Sequence, residues 1–360
     1  MSHWVLYGAT GYTGVLLAEE AARRGHRPIL AGRNADKLRP LAERLGLEWK
    51  AVAISDPPAL RALLDGATAV LHAAGPFVET SRPMADACLE TGCSYLDITG
   101  ELPVFEALFA RDSEATAKKI ALIPGVGFDV VPSDCLAAWV AAKLPGAQHL
   151  EIALAVLGQP SAGTLKSLAG LLGVGGRVRR NGVLVPMVFG KGVHEVTFSS
   201  RKSWVVPSPI GDLITAWHST SIPNITVSLA FPSNLARAVG FGWPLTMVGA
   251  PVLAGVLSSK AIKSRVDAAL EKRARGPTAE ERATHHCFLY AKVSAADGRC
   301  AEGWMETVDG YEYTRIGAIS AVEQLLSKRP RGALAPSQAF GADFALCVPG
   351  TKRFDHLPAQ

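Results

Sequence analysis

The chain has 360 residues, which is long enough for two domains with large hydrophobic cores. Hydrophobic residues make up 48% and charged residues only 19%, a more apolar balance than in an ordinary cytosolic enzyme. This balance indicates a hydrophobic substrate, a membrane contact or a broad subunit interface. The formal net charge of +5 forms no long basic tract, which argues against nucleic acid as a partner.

The first predicted strand, at residues 4–7, runs into three glycines spaced three residues apart, followed by a helical pattern. This is typical of a dinucleotide-binding turn, in which the glycines allow a tight turn, close approach of a pyrophosphate and close packing of the helix. The helix N terminus adds amide donors and a partial positive charge. We predict that this turn binds the cofactor through Gly8, Thr10, Gly11, Tyr12, Thr13 and Gly14.

The second predicted strand, at 28–32, ends in Gly32-Arg33-Asn34. A protein that prefers NAD usually has an acidic residue at this point, where it binds the ribose 2′-hydroxyl. An arginine suits a 2′-phosphate instead, so the sequence predicts NADP as the cofactor, bound by Arg33. The alternative is a solvated arginine that opens the next helix.

The first third of the chain continues as alternating strands and helices, which predicts an α/β fold with a Rossmann-type, doubly wound parallel sheet. After the third strand, Asp56 is predicted at the edge of the adenine pocket. Ligands bind at the carboxyl ends of strands in such sheets. The turn after the fourth strand is therefore predicted to run beside the ribose and nicotinamide end of the cofactor: Ala74, Gly75, Pro76 and Phe77.

Candidates for catalysis follow on the fifth strand. Tyr95 and Asp97 alternate with Leu96, so they share one side of the strand, and Glu101 follows in the turn. We consider Tyr95 and Asp97 as catalytic candidates, with Thr164 as a donor to a substrate carbonyl. A hydrogen-bond network that ties down the turn is an alternative for Tyr95 and Asp97, and no decisive acid–base pair emerges.

Asp129 and Asp134 bracket Pro132-Ser133 near the start of a predicted helix. Ser133 or Asp134 fits the cap of that helix, which favours a structural role for this stretch. The six cysteines show no zinc or redox spacing, so we expect reduced thiols and no metal site. No secretory signal fits before a strand that begins near residue 3, and we expect a cytoplasmic protein.

Five separated segments resemble a known family: Gly-Ala-Thr-Gly-Tyr-Thr-Gly at 8–14, Ala-Gly-Arg at 31–33, Ala-Gly-Pro-Phe at 74–77, Tyr-Leu-Asp-Ile-Thr-Gly-Glu at 95–101 and Pro-Gly-Val-Gly-Phe-Asp-Val-Val-Pro-Ser-Asp at 124–134. With these motifs the chain resembles the saccharopine dehydrogenase-like oxidoreductases, including their trans-acting enoyl reductase branch. Segments 161–164 and 332–336 are similar to that branch as well, and the resemblance is weakest between 175 and 280.

The resemblance implies an NADP-binding Rossmann domain at 1–147, completed by 330–360, and a second α+β domain at 148–329. A C-terminal helix should return to the first domain. The sequence supports this layout, because the later predicted strands no longer alternate with helices, and 316–326 is a good amphipathic helix. A homodimer through the second domain is a further expectation.

Three functions stay open. The resemblance implies reduction of a carbon–carbon double bond in a hydrophobic enoyl, acyl or polyketide-like substrate. The second function is reaction at a carbon–nitrogen bond of an amino-acid conjugate, which needs carboxylate clamps. The second domain offers four arginines for such clamps: Arg177, Arg179, Arg180 and Arg201. The third is a non-catalytic, NADP-bound scaffold associated with membranes or lipid.

Residues 238–259 form an uncharged, apolar segment that is long enough to cross a bilayer, with Lys260, Lys263 and Arg265 just after it. Glycines and prolines interrupt the segment, which favours a short hairpin over a straight span. A spanning helix, a hairpin that contacts a membrane surface, and a buried core or dimer element remain as its three interpretations.

Overall fold

The computed structural model describes residues 3–156, 176–238, 240 and 276–357. The helices are α1 (Tyr12–Arg23), α2 (Ala35–Leu45), α3 (Pro57–Leu64), α4 (Phe77–Thr91), α5 (Leu102–Phe109), α6 (Asp112–Lys118), α7 (Val131–Ala142), α8 (Asp212–Thr220), α9 (Ala279–Thr284), α10 (Gly310–Lys328) and α11 (Pro336–Phe340), with a 3₁₀ turn at Phe344–Cys347.

The strands are β1 (Trp4–Tyr7), β2 (Ile29–Gly32), β3 (Trp49–Ala51), β4 (Ala69–His72), β5 (Ser94–Asp97), β6 (Ala121–Ile123), β7 (His149–Ala155), β8 (Arg177–Arg180), β9 (Val183–Pro186), β10 (His194–Thr197), β11 (Lys202–Pro207), β12 (Asn224–Phe231), β13 (His286–Ser294), β14 (Cys300–Val308), β15 (Gly332–Ala333) and β16 (Lys352–Phe354).

The chain divides into two compact units. The first comprises Met1–Val131 with Tyr311–Val348, and the second comprises Pro132–Gly310 with Pro349–Gln360. The divisions after residues 131 and 310 fall earlier along the chain than residues 147 and 330, the limits that the sequence predicts, and residues 349–360, predicted in the first domain, belong to the second unit. One reason is that α7 packs within the second unit: a Cβ added at Gly303 of β14 would lie 2.7 Å from the side chains of Trp139 and Val140.

The first unit contains a seven-stranded parallel sheet in the order β15-β6-β5-β4-β1-β2-β3. Strands β1 to β4 are short and largely apolar, and β1, β2 and β4 are buried along their whole length. Strand order reverses at β1, which lies between β2 and β4. This is the topological switch point at which doubly wound sheets bind ligands, and the predicted Rossmann-type fold is confirmed.

The helix α10 belongs to the first unit, although the predicted domain limits place its residues in the second domain, and it packs beside α1. The carboxylate of Glu20 in α1 is fully buried and pairs with Arg24 of the same helix and with Arg315 of α10. Burial favours a higher pKa for Glu20, but hydrogen bonds from Arg23 and Arg24, together with the positive charges of Arg315 and Arg24, lower the pKa below its usual value. Beyond α10, β15 adds the last strand to the sheet beside β6.

The second unit is built on a mixed sheet with the order β10-β11-β12-β7-β13-β14-β16, and β8 pairs with β12 and β9. Strands β7 and β12 are parallel, and the other pairs are antiparallel. One apolar cluster is contributed by β7, β10, β11, β13 and β14 and by the residue after β10: Ala153, Ala155, Val196, Phe198, Val205, Phe288, Tyr290 and Trp304. The predicted second, α+β part of the fold is confirmed.

The apolar segment 238–259 lies outside the described residues except for residues 238 and 240. Within the described ranges, no helix combines the length and the apolar character that a membrane crossing requires. The three interpretations of this segment therefore stay predictions.

Candidate functional site

The turn between β1 and α1 is defined by backbone contacts that only glycine permits. Gly8 has a φ of +86°, and a Cβ at this position would lie 2.7 Å from the backbone of Ala73 and Ala74. A Cβ at Gly14 would lie 2.1 Å from the carbonyl oxygen of Gly8. Because the opposing atoms are backbone, they cannot move aside as a flexible side chain would.

Gly11 differs from its two neighbours in the motif. It is the N-cap of α1, and a Cβ there would meet only the Gly8 carbonyl oxygen, at an ordinary contact distance of 3.5 Å. The fold itself therefore does not require glycine at this position. Close approach of a ligand to the backbone would explain why a glycine is present. Helix α1 also has no side-chain cap and no acidic residue in its first turn, so its N terminus suits an anion.

The other predicted residues of the turn lie between these glycines. Thr10, Tyr12 and Thr13 are all half-buried. The Tyr12 ring packs edge-on against Tyr311 of α10, with ring centroids 5.1 Å apart. The C-terminal helix thus helps to hold the side chains of the glycine turn.

Arg33 stands exposed directly after β2, at the same edge of the sheet as the glycine turn. The amides of Gly8 and Ala9 both donate to the carbonyl of Ala31, at 2.8 and 3.2 Å, and this joins the two segments. Within 3–156, 176–238, 240 and 276–357, no hydrogen bond or ion pair engages the Arg33 guanidinium. A cation in this position is free to meet a 2′-phosphate.

Tyr7, the last residue of β1, lies close enough to Arg33 for the positive charge of Arg33 to affect its pKa. Its hydroxyl donates to the carbonyl of Val52 at 3.0 Å. Burial raises the pKa of Tyr7 to about 12, and the charge of Arg33 offsets part of that shift. Tyr7 therefore stays neutral and ties β1 to the loop after β3.

The loop after β4 lies against the glycine turn, since Ala73 and Ala74 are the residues that close on Gly8. The Thr80 hydroxyl donates to the Ala74 carbonyl at 2.7 Å. The Gly75–Pro76 peptide bond is cis, Gly75 is exposed and Phe77 is buried. The structure thus brings together the predicted glycine turn, Arg33 and the 74–77 loop at the carboxyl end of one sheet.

Glu101 fixes the other end of this loop. Its carboxylate accepts hydrogen bonds from the amides of Phe77 and Val78, at 3.2 and 2.8 Å, and so caps the start of α4. His72 lies beneath the loop with its ring Nε2 3.0 Å from the Thr80 hydroxyl. Complete burial lowers the pKa of His72 to about 3, so this ring is neutral.

Asp56 has a structural contact of its own. Its exposed carboxylate accepts the Ala59 amide at 3.1 Å and caps α3. This contact accounts for an aspartate at the position without a cofactor. Its predicted place at the edge of the adenine pocket stays a prediction.

Tyr95 and Asp97 are both fully buried and engage each other. The Tyr95 hydroxyl donates to Asp97 Oδ2 at 2.6 Å, while the amides of Thr99 and Gly125 donate to Asp97 Oδ1 at 3.0 and 2.8 Å. Burial raises the pKa of Asp97 to about 6, despite the three donors that favour its charged form. This geometry matches the network interpretation, in which Asp97 ties the loop after β5 to the loop after β6.

The catalytic roles of Tyr95 and Asp97 stay predictions, and Thr164 lies outside the described residues. The two aspartates of the next loop differ from each other. Asp134 is buried and accepts the Ser219 hydroxyl at 2.8 Å, whereas the side chain of Asp129 is exposed beside Gly100. The sequence pattern favours a structural role for both. The signal in the sequence that distinguishes Asp129 from Asp134 is that Asp129 lies in the loop directly after a parallel strand.

The comparisons with known proteins agree with this geometry. Residues 4–123 match the family described as the saccharopine dehydrogenase NADP-binding domain. The trans-acting enoyl reductase of Mycobacterium leprae is 38% identical over 143 residues, which are 36% of this chain and 33% of that protein. A saccharopine dehydrogenase-like oxidoreductase of Bos taurus is 31% identical over 164 residues, 40% of this chain and 38% of that protein.

These curated relatives are matched over only about a third of their own length. Among solved structures, the apo saccharopine dehydrogenase (L-Glu forming) of Saccharomyces cerevisiae has a TM-score of 0.65 and 12% sequence identity, covering 98% of this chain and 100% of that one. This likeness shows a shared fold. The domain match confirms the predicted resemblance and the predicted cofactor: residues 4–123 are an NADP-binding domain of the oxidoreductase type.

Two glycine variants should separate folding from cofactor binding. Gly14→Ala should lower the free energy of unfolding by about 3 kcal/mol or more, because its Cβ would overlap the Gly8 carbonyl. Gly11→Ala should change it by no more than about 0.5 kcal/mol and weaken NADPH binding about tenfold or more. Urea unfolding and fluorescence titration measure the two effects. Unchanged NADPH affinity in Gly11→Ala would contradict ligand approach at this glycine.

Arg33→Ala should erase the preference for NADPH over NADH. We expect NADPH affinity to fall by about 10- to 100-fold, the range for a lost charged hydrogen bond, with NADH affinity unchanged. Fluorescence titrations with both nucleotides provide the test. The matched control is Arg27→Ala, which removes an exposed arginine just before the other end of the same strand. Equal losses for both nucleotides would point to a structural role for Arg33.

Tyr95→Phe should lower the free energy of unfolding by about 1–3 kcal/mol, since it leaves the buried Asp97 carboxylate short of one donor. NADPH affinity should not change. Urea unfolding and NADPH titration of the same preparation test this. Normal stability combined with lost turnover would instead support a catalytic role for Tyr95.

Proposed function

We propose that this chain, whose residues 4–123 are a saccharopine dehydrogenase-type NADP-binding domain, is an NADPH-dependent reductase of a carbon–carbon double bond in a hydrophobic acyl substrate. The observation that carries the proposal is the agreement between the domain match and a glycine turn left open for an anion beside an exposed arginine. The name trans-acting enoyl reductase, borne by several relatives, supplies the type of reaction.

NADPH, when bound, supplies the hydride. The residues of this chain bind and orient it: the N terminus of α1 receives the pyrophosphate, Arg33 pairs with the 2′-phosphate, and the 74–77 loop borders the path toward the nicotinamide. Glu101 holds that loop through the amides of Phe77 and Val78. The positions of these groups are therefore set before the cofactor arrives.

A cavity of the second unit supports an acyl substrate. It has a volume of about 590 Å³, which lies in the range of small-molecule sites. Apolar residues, among them Ala155 of β7 and Phe231 of β12, line it together with three cations, Arg201, Lys202 and Arg237, and one carboxylate, that of Glu195. The excess of cations over carboxylates in this lining suits the negatively charged group of an acyl carrier.

Reaction at a carbon–nitrogen bond of an amino-acid conjugate is the second candidate, because those three cations would also bind carboxylates. Two of the predicted clamp arginines have other partners. Arg179 donates to the carbonyls of Gly182 and Leu213, and Arg180 donates to the Thr226 hydroxyl. Both contacts hold the second unit together, which favours the double-bond reductase.

The test is an assay of NADPH oxidation by the full chain with trans-2-enoyl thioesters of short, medium and long acyl chains. We expect turnover that rises with chain length and depends on NADPH rather than NADH. The saturated thioester of the same length is the matched control, since it offers no double bond.

Saccharopine with NADP⁺, and its precursors with NADPH, form the second arm of the assay. Turnover there and none with enoyl thioesters would overturn the proposal in favour of carbon–nitrogen chemistry. Tight NADPH binding with no turnover in either arm would overturn it in favour of the non-catalytic scaffold.

A further inference from the structure

Asp129 occupies an unusual position among the acidic residues of the first unit. It lies in the loop after β6, at the carboxyl end of the parallel sheet, and its side chain is exposed. Its carboxylate accepts no hydrogen bond from the part of the chain that the structure describes. By contrast, Asp97 and Glu101, which precede Asp129 at the same edge of the sheet, are buried, and each carboxylate accepts several hydrogen bonds.

The loop of Asp129 rests on the loop after β5. A Cβ added at Gly100 would lie 3.2 Å from both Cβ and Oδ2 of Asp129. The amide of Val126 donates to the Asp97 carbonyl at 2.7 Å, and the amide of Phe128 donates to the Thr314 hydroxyl of α10 at 3.0 Å. The backbone on the N-terminal side of Asp129 is therefore held in place, and its carboxylate lies beside Gly100.

The sheet order gives the direction in which a bound cofactor extends. The pyrophosphate site lies at the end of β1, and Arg33 marks the adenosine side at the end of β2. The nicotinamide half of a bound cofactor would then extend the opposite way, toward the ends of β4 and β5. Gly100 follows β5, two strands from β1, which is about 10 Å at the usual strand spacing.

The surroundings of Asp129 favour its protonated form, first by desolvation and then by charge. Desolvation by the surrounding protein, although the side chain still touches solvent, and the negative charge of Glu101 raise the pKa of Asp129 to about 6. Glu101 is the charged group that acts on it among the described residues. A carboxyl group with this pKa is protonated in a larger fraction of molecules near neutral pH than an ordinary aspartate, and it regains its proton from solvent after giving it up.

We infer that Asp129 faces the nicotinamide end of the cofactor site and is the acid that protonates the reduced substrate. The inference rests on the proposed function. Hydride adds to one carbon of the double bond, and the electron pair displaced from that bond takes the proton from the Asp129 carboxyl group at the neighbouring carbon. The O–H bond of Asp129 breaks, a new C–H bond forms, and solvent returns the proton to the carboxylate.

The first experiment needs no substrate. The dissociation constants of NADP⁺ and NADPH are measured by calorimetry over about two pH units on either side of pH 6. Their ratio cancels the titration of the 2′-phosphate, which both forms share. A carboxylate beside the nicotinamide attracts the positive ring of NADP⁺, so we expect the preference for NADP⁺ to rise roughly tenfold as pH increases through about 6.

Three variants sharpen this measurement. Asp129→Asn should make the ratio independent of pH. Glu101→Gln should move the midpoint to lower pH, because it removes the negative charge that favours protonation of Asp129. Glu106→Gln, which removes an exposed carboxylate from α5, should behave like the wild type. A flat ratio in the wild type, or the same pH dependence in Asp129→Asn, would overturn the inference.

The proton-donor role has its own readout. When an enoyl thioester is found that the wild-type protein reduces, Asp129→Asn should lower kcat for it about 100-fold or more with little change in KM. The variant should also lose the decline of kcat that the wild type shows above the pKa of the acid. Unchanged kcat would refute the role. If the nucleotide ratio depends on Asp129 but no enoyl thioester reacts, the placement of Asp129 stands and the proposed reaction falls.

Discussion

The distance between α1 and the parallel sheet is set by one backbone contact, that of Gly14 with the carbonyl oxygen of Gly8. There is no room for a methyl group between them. This contact brings the N terminus of α1 to the end of β1, while Gly8 in turn closes on the loop after β4. The anion site, the arginine after β2 and the 74–77 loop are neighbours because this one turn is so tight.

Buried acidic groups hold in place the loops that follow the strands at this edge of the parallel sheet. Glu101 caps α4, and Asp97 links the loops after β5 and β6. Neither group needs a ligand to satisfy it. An open site with fixed walls reduces the ordering that a cofactor must impose when it binds, which is the usual advantage of a preorganised site.

Much of this arrangement could be predicted from local sequence patterns. The glycine spacing predicts the turn, and Arg33 follows a strand whose end must lie at the ligand edge of a parallel sheet. Alternation of Tyr95 and Asp97 correctly places them on one side of β5. It does not say that this side is buried, because burial depends on the loop after β6 that closes over it.

Other features depend on contacts that no local pattern contains. The division of the chain near residue 131 reflects the packing of α7 on β14, whose sequence positions are far apart. Asp129 and Asp134 look alike in sequence, yet one carboxylate is exposed and the other accepts a hydrogen bond from Ser219. The difference arises from tertiary structure and emerges only when the two side chains are placed.

The return of α10 and β15 to the first unit has a consequence for how this protein is made. The final strand of the parallel sheet and Arg315, a partner of the buried Glu20 carboxylate, come from the last 50 residues of a 360-residue chain. During synthesis on the ribosome, the sheet therefore has an open edge at β6 and the Glu20 site lacks one cation until residues 132–310 of the second unit have been made. The NADP-binding unit is therefore completed only after residues 132–310 of the second unit have been synthesised.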